Sequence, residues 1–269
     1  MTLVQASICE KGNTIILIAD RMVSYSIGGY IEYEKEGNTS KLFVYNKNAI
    51  GFAGILPDIV KIKNKIEPKD NVDDFLDEII EIMIKNKNGE LNRSILNDTI
   101  WKNKEEFIKN LNICPNDLKD LIFGKNAEFR LQLNCLIVGF NKKNEAKIYT
   151  ISNEYEVNDV SDLFHHSIGS GTPFSVIFFD QENYDVNFSL EEGLYFAYRA
   201  KKTAESHTGV GIKTDIVIIR KNDKPIIIFA DDEKMKMLEN LYQDEKQKNI
   251  NLRREIIKKI DLEEVKKNV

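Results

Sequence analysis

Thr2 is the residue that removal of Met1 would leave at the amino terminus, with a hydroxyl and a free α-amine on one residue. That pairing is a nucleophile with its own base. An unperturbed α-amine has a pKa of roughly 7.7–8.0, so a usable fraction is neutral near pH 7 and able to take the hydroxyl proton. The other side chains with chemistry to offer are few. His165 and His166 are adjacent in a strand and point to opposite faces, which two ligands of one ion would not, so neither a metal nor another cofactor is expected. Cys9 would sit at the far end of the first strand from Thr2 and is not expected to act as a nucleophile. Cys9, Cys114 and Cys135 lack metal-ligand spacing and read as buried thiols of a reducing compartment.

The elements that must position Thr2 follow from the hydrophobic pattern. Residues 2–9 and 14–20 are β-rich runs joined by a Gly12-Asn13 turn. In the second run Ile15, Leu17 and Ala19 alternate with Ile16 and Ile18, so both faces are apolar and the strand belongs inside a layered domain. Asp20-Arg21 interrupts that run, and residues 21–38 read as a polar loop. Residues 41–45 and 49–53 make a second hairpin. From Leu56 the period becomes helical, with Ile59, Ile62 and Ile66, then Phe75, Leu76, Ile79, Ile80 and Met83. A short helix is expected at 97–111 around Trp101, the only tryptophan. Strands resume at 129–140, 147–152 and 164–168. Thr172 reads as an N-cap with Pro173 at the first helical position, and Ser189-Leu190-Glu191-Glu192 as a capping box. Residues 215–220 and 225–230 close the set as a hairpin through Asn222-Asp223. Strand pairs, two helices, strand pairs, two helices: this order predicts an α/β fold built as a four-layer αββα sandwich. Residues 231–269 are dense in charge yet carry Met235, Leu238, Leu241, Ile256, Ile257 and Ile260, and read as an amphipathic helical tail.

Composition bounds the partners. The 269 residues are 42% hydrophobic with a net charge of -5, enough for one large core and without a basic stripe for nucleic acid. No apolar run is long enough to span a bilayer, and the start lacks a basic n-region. A cytoplasmic protein bound to neither membrane nor nucleic acid is expected.

Six stretches together resemble a known family. Thr2 with Asp20-Arg21, Ser40-Lys41-Leu42-Phe43, Gly51-Phe52-Ala53-Gly54, Ile168-Gly169-Ser170-Gly171-Thr172-Pro173-Phe174, Ser189 to Gly193, and Asp215 to Ile219 are similar, in that order, to the proteasome β-subunit family, which includes the ring peptidase HslV. The resemblance covers about residues 2–56 and 128–230, with 88–125 as a helical insertion and 231–269 as an appendage. It implies the N-terminal-nucleophile hydrolase fold for residues 2–230. It also implies that Thr2 is the nucleophile, that Lys41 lies beside it and depresses the amine pKa or takes the proton itself, and that Asp20 orients the lysine. Gly51 matches the glycine whose amide faces the oxyanion, and Ser170 the serine that bonds the amino terminus. Glu205 and Thr208 fit the family's second acidic residue and serine if two residues are inserted after Gly209; an ungapped count puts His207 there. Ala49 and Ile50 match positions that line the substrate pocket. Side-chain alternation supports the register, because Thr2 to Asp20 exceeds the family spacing by an even number and Met1 to Asp20 by an odd one.

The resemblance therefore implies a threonine peptidase acting on peptide or unfolded polypeptide, in a homo-oligomeric ring and with a regulatory ATPase or related subunits as partners. Two other readings stay open: a noncatalytic assembly subunit, and an amidase or transpeptidase whose acyl-threonine meets an amine instead of water.

Overall fold

The computed structural model describes residues 2–27, 30–93, 101, 103–128 and 132–258. Its strands are β1 (Val4–Cys9), β2 (Thr14–Asp20), β3 (Met22–Ile27), β4 (Tyr30–Glu36), β5 (Leu42–Tyr45), β6 (Asn48–Gly54), β7 (Leu133–Phe140), β8 (Ala146–Ile151), β9 (Val157–Asp159), β10 (His165–Ile168), β11 (Thr214–Arg220) and β12 (Ile226–Ile228). The α-helices are α1 (Leu56–Lys63), α2 (Val72–Leu91), α3 (Lys104–Lys109), α4 (Asn116–Glu128), α5 (Thr172–Gln181), α6 (Leu190–Ala204) and α7 (Glu233–Ile257).

Two five-stranded sheets result, in the orders β10-β1-β2-β11-β12 and β5-β6-β7-β8-β9, beside a separate β3-β4 pair. β1 and β2 pair antiparallel, with Val4 opposite Ala19, and β11 adds to β2 with Thr214 opposite Asp20. Every residue of β1 and β2 is buried, which explains why both faces of β2 are apolar. Val4, Ala6, Ile15, Leu17 and Ala19 from the first sheet share one core with Leu42, Ala49, Leu136 and Val138 from the second. The opposite face of the second sheet, with Ile50, Phe52, Cys135 and Ile137, is covered by Ile59, Ile62, Phe75, Ile79 and Met83 of α1 and α2. At roughly 1.5–3 kcal/mol for each fully buried large apolar side chain, these two cores drive the arrangement.

α5 and α6 attach to the first sheet through a polar cluster. Ser175 Oγ donates to Gln5 Oε1 (2.7 Å) and lies 2.9 Å from Ser167 Oγ, while Gln5 Nε2 donates to the Ala197 carbonyl. Gly193 of α6 lies where a Cβ would meet Cys9 Cβ at 2.9 Å, so its lack of a side chain permits close approach of α6 to β1. The capping box at Ser189 and Glu192 is present. α5 begins one residue earlier than its sequence predicts, with Gly171 as N-cap.

Residues 21–38 are not a loop: β3 and β4 pair antiparallel, with Met22 opposite Glu36. The alternation of Val, Tyr and Ile with Ser and Glu there is the period-2 signal that high polarity concealed. The helix expected at 97–111 lies partly outside the described residues; its described part is α3 and a 3-10 turn at Leu111–Ile113. Trp101 packs edge-on to Phe107 (5.3 Å) in a small core with Cys114 and Ile122.

The chain divides into two compact units, Met1–Ile227 and Ile228–Val269. In the second unit α7 has Met235 and Leu238 buried and Leu241, Ile256 and Ile257 exposed; Ile260 lies outside the described residues. Among the described residues no helix is long and apolar enough to cross a membrane.

Candidate functional site

Thr2 precedes β1 and is buried, 4% exposed. The turn after β10 wraps around it: Thr2 N donates to Ser170 Oγ (3.2 Å), and the Thr2 carbonyl accepts from the Gly171 N–H (3.2 Å). This turn depends on Gly169, whose φ of +98° is in the range that favours glycine.

The β1-β2 register brings Asp20 next to the start of β1. Leu3 N donates to Asp20 Oδ1 (2.7 Å) and Asp20 N to the Leu3 carbonyl (3.2 Å). Asp20 Oδ1 also accepts from Thr2 Oγ1 (2.7 Å) and from Lys41 Nζ (3.0 Å), and Lys41 Nζ donates to Thr2 Oγ1 itself. Asp20 Oδ2 accepts from the N–H groups of Met22 (2.8 Å) and Gly211 (3.1 Å). A buried carboxylate with this many donors has one orientation, and the hydrogen bonds offset a desolvation cost of several kcal/mol. Burial pushes the pKa of Lys41 below the ordinary lysine value, against the opposing pull of Asp20 and Glu36. The neutral amine is therefore more accessible than in water. Next to Asp20, Arg21 grips Asp215 with two nitrogens (Nε to Oδ2 2.8 Å, Nη2 to Oδ1 2.6 Å), fixing the end of β2 against β11.

Thr2, Asp20, Lys41 and Ser170 thus come together; the other residues expected at the site do not. Gly51 is an interior residue of β6, paired with Leu42 and Leu136, and a Cβ on it would sit 2.3 Å from Val4 Cγ1 in the inter-sheet core. Its amide direction also follows from the ladder. Phe52 N donates to Lys41 O toward β5, and Ile55 N to Gln132 O on the β7 side. Amides alternate along a strand, so Gly51 N–H faces β7 and Gly54 N–H faces the β5 side, beyond the first residue of β5. Ala49 and Ile50 line no pocket, because both are fully buried, one in each of the two cores. Glu205 gives its carboxylate to Lys201 and Lys202, and Thr208 is exposed. Among the described residues neither contributes a hydrogen bond to Thr2. His207 lies against Phe174 (5.5 Å).

The remaining histidines and Cys9 are occupied elsewhere. His165 stacks on Phe179 (4.5 Å), and burial lowers the pKa of both His165 and His166. Burial pushes the Cys9 thiol up to about 12, which keeps it protonated and weakly nucleophilic at neutral pH. Sequence reasoning missed Gly211, which holds Asp20 through a backbone N–H that leaves no trace in residue type. It also missed Lys201, although the Lys201 to Glu205 spacing is that of a helical ion pair.

No family model and no curated protein matches the chain. Among solved structures it is similar to Anbu from Hyphomicrobium sp. strain MC1, at 15% identity and a TM-score of 0.60, and to a Gly-1 mutant of that Anbu, at 14% identity and a TM-score of 0.58. Each alignment covers 97% of this chain and 98% of the other. These findings correct the resemblance to the proteasome β-subunit family: the likeness is one of fold, with Anbu, and membership of that family does not hold.

Proposed function

We propose that the chain is an N-terminal-threonine amide hydrolase on the four-layer αββα fold of N-terminal nucleophile hydrolases. The observation that carries this reading is the contact of Lys41 Nζ with Thr2 Oγ1 over a shared Asp20 oxygen. Removal of Met1 would turn the Thr2 nitrogen, 3.2 Å from Ser170 Oγ, into a primary amine. The neutral Lys41 amine takes the Thr2 hydroxyl proton as Oγ1 attacks the carbonyl carbon of a peptide amide. The tetrahedral oxyanion collapses, the C–N bond breaks, and the leaving amine takes the proton from Lys41. Water then attacks the acyl-threonine ester, giving a proton to Lys41; the acyl C–Oγ1 bond breaks, a carboxylic acid leaves, and that proton restores the Thr2 hydroxyl. Gly54, whose N–H is directed past the start of β5, replaces Gly51 as the backbone donor suited to the oxyanion. Three free, buried cysteines fit a reducing, cytoplasmic setting.

A peptidyl β-lactone tests the reading, because opening of the lactone ring by Oγ1 leaves a stable ester visible in the intact mass. The Met1-free chain is expected to gain one adduct, mapped to Thr2, and Thr2→Ala to gain none while keeping its fold. An adduct of equal yield on Thr2→Ala would overturn the assignment.

A further inference from the structure

Ile212 has an exposed side chain, 70% accessible, yet its backbone is fastened at both ends. Its carbonyl accepts from Lys201 Nζ (2.9 Å), and its N–H donates to Glu36 Oε1 (2.5 Å), which also accepts from Lys213 N–H (3.3 Å). A segment whose side chain buries little is positioned by such polar anchors instead. The preceding residue is Gly211, whose N–H meets Asp20 Oδ2. A Cβ on Gly211 would lie 2.3 Å from Glu36 Oε1, so a side chain there would displace the Glu36 carboxylate.

Lys201 is costly for the fold. Its side chain is 0% exposed, and taking an ammonium out of water is unfavourable even when it is paired. Glu205 at the C-cap of the same helix partners it, but Glu205 also has Lys202 at 2.6 Å, so the carboxylate does not depend on Lys201 alone. The contact that is particular to Lys201 is the one to the Ile212 carbonyl.

We propose that Lys201 is a positioning residue for the Thr2 site: by holding the Ile212 carbonyl it aims the Gly211 N–H at Asp20, and so fixes the carboxylate that orients Thr2 Oγ1 and Lys41. The inference rests on the reading of Thr2 as nucleophile. Lys201 touches no reacting atom, and Glu36 is the opposing anchor of the same segment. The charged groups that act on Lys201 are Lys202 of α6, Glu205 at its C-cap and Asp20 of β2; those that act on Lys41 are Asp20 and Glu36 of β4. Without Lys201 the Gly211 N–H drifts from Asp20, and the carboxylate, short of one donor, attracts the Lys41 proton more strongly. Lys41 then becomes harder to deprotonate.

The test is β-lactone acylation of the Met1-free full chain across pH, with the limiting rate separated from the half-saturating concentration. Lys201→Met is expected to lower the limiting rate by about tenfold, the equivalent of one lost hydrogen bond, at a nearly unchanged half-saturating concentration. Its pH midpoint should move up. Glu36→Ala acts from the partly exposed side and serves if Lys201→Met does not fold. It should lower the limiting rate similarly, but move the midpoint down because it removes a carboxylate that favours charged Lys41. A folded Lys201→Met with the rate and midpoint of the unsubstituted chain overturns the inference, as does an unchanged rate in Glu36→Ala. Failure of the unsubstituted chain to acylate overturns the nucleophile reading and this inference with it, whereas acylation that is indifferent to both substitutions overturns the inference alone.

Discussion

A Cβ placed on Gly169 would lie 2.3 Å from the Thr2 carbonyl oxygen and 2.8 Å from Thr2 Cγ2, so the turn that carries Ser170 is moulded directly onto Thr2. Gly169→Ala is therefore expected to do two things. It strains a backbone at φ +98°, costing about 1–3 kcal/mol, and it pushes Ser170 away from the Thr2 nitrogen. Gly12→Ala is the control: its φ is +85°, but a Cβ there meets nothing within 4 Å. Urea denaturation should show both variants destabilised, and β-lactone acylation should fall only in Gly169→Ala. Equal acylation rates in the two would separate the Gly169 turn from the chemistry.

The acylation rate should rise with pH along a limb set by Lys41. Burial holds its pKa below the ordinary value of 10.5 in the folded chain, so the neutral amine appears at lower pH than it would in an unfolded one. The same shift has a stability sign. Between the folded and unfolded pKa values the unfolded state binds more protons, so stability gains from Lys41 as pH rises through that window and loses as pH falls. Lys41→Arg keeps the charge and cannot deprotonate, so it should be inactive over the whole range. An acylation limb that survives in Lys41→Arg would pass the role of base to the Thr2 amine.

Of the four residues that meet at the site, Thr2 was legible from its place after Met1, whereas Asp20 at the end of an apolar run, Lys41 at the start of one and Ser170 between glycines were picked out by the motifs that carry the resemblance. Gly51 and Gly54 have amides that face different neighbouring strands, and that is set by pairing partners distant in sequence, Lys41 and Gln132. Ala49 and Ile50 failed as pocket residues for a related reason. An apolar residue next to a glycine has the same composition whether it lines a cavity or fills a core, and here β6 contributes to the cores on both faces of its sheet. Glu205 was drawn toward Thr2 by motif order, while its helical spacing from Lys201 pointed to the ion pair that the structure contains.

His165 should make the fold acid-sensitive. Its ring stacks on Phe179 at 4.5 Å and 13°, its buried Nδ1 has no hydrogen-bond partner among the described residues, and Asp180 lies 3.6 Å from Nε2. Burial depresses its folded pKa below 6.5, with Asp180 opposing and His166 reinforcing the shift. The unfolded chain therefore binds the proton more readily, and the stability that neutral His165 contributes is present above pH 6.5 and lost as pH falls through the folded pKa. Melting temperature measured against pH should fall less steeply on the acid side in His165→Phe, which preserves the stack and cannot titrate. Identical acid slopes would assign the sensitivity elsewhere.

The second unit leads to a prediction about association. Leu252 and Ile256 are one helical turn apart on α7, and with Ile257 they are exposed, at 54%, 54% and 61%. A patch of large aliphatic side chains on a long charged helix favours contact with another apolar surface, and a second copy of the chain supplies the same one. Light scattering of the full chain is expected to give a mass above the 31.0 kDa of one copy. Leu252→Glu with Ile256→Glu places two charges in that patch and should return the mass toward a single copy while the first unit keeps its melting transition. A single-copy mass for the unsubstituted chain at high concentration would show that this face has no partner in a second copy.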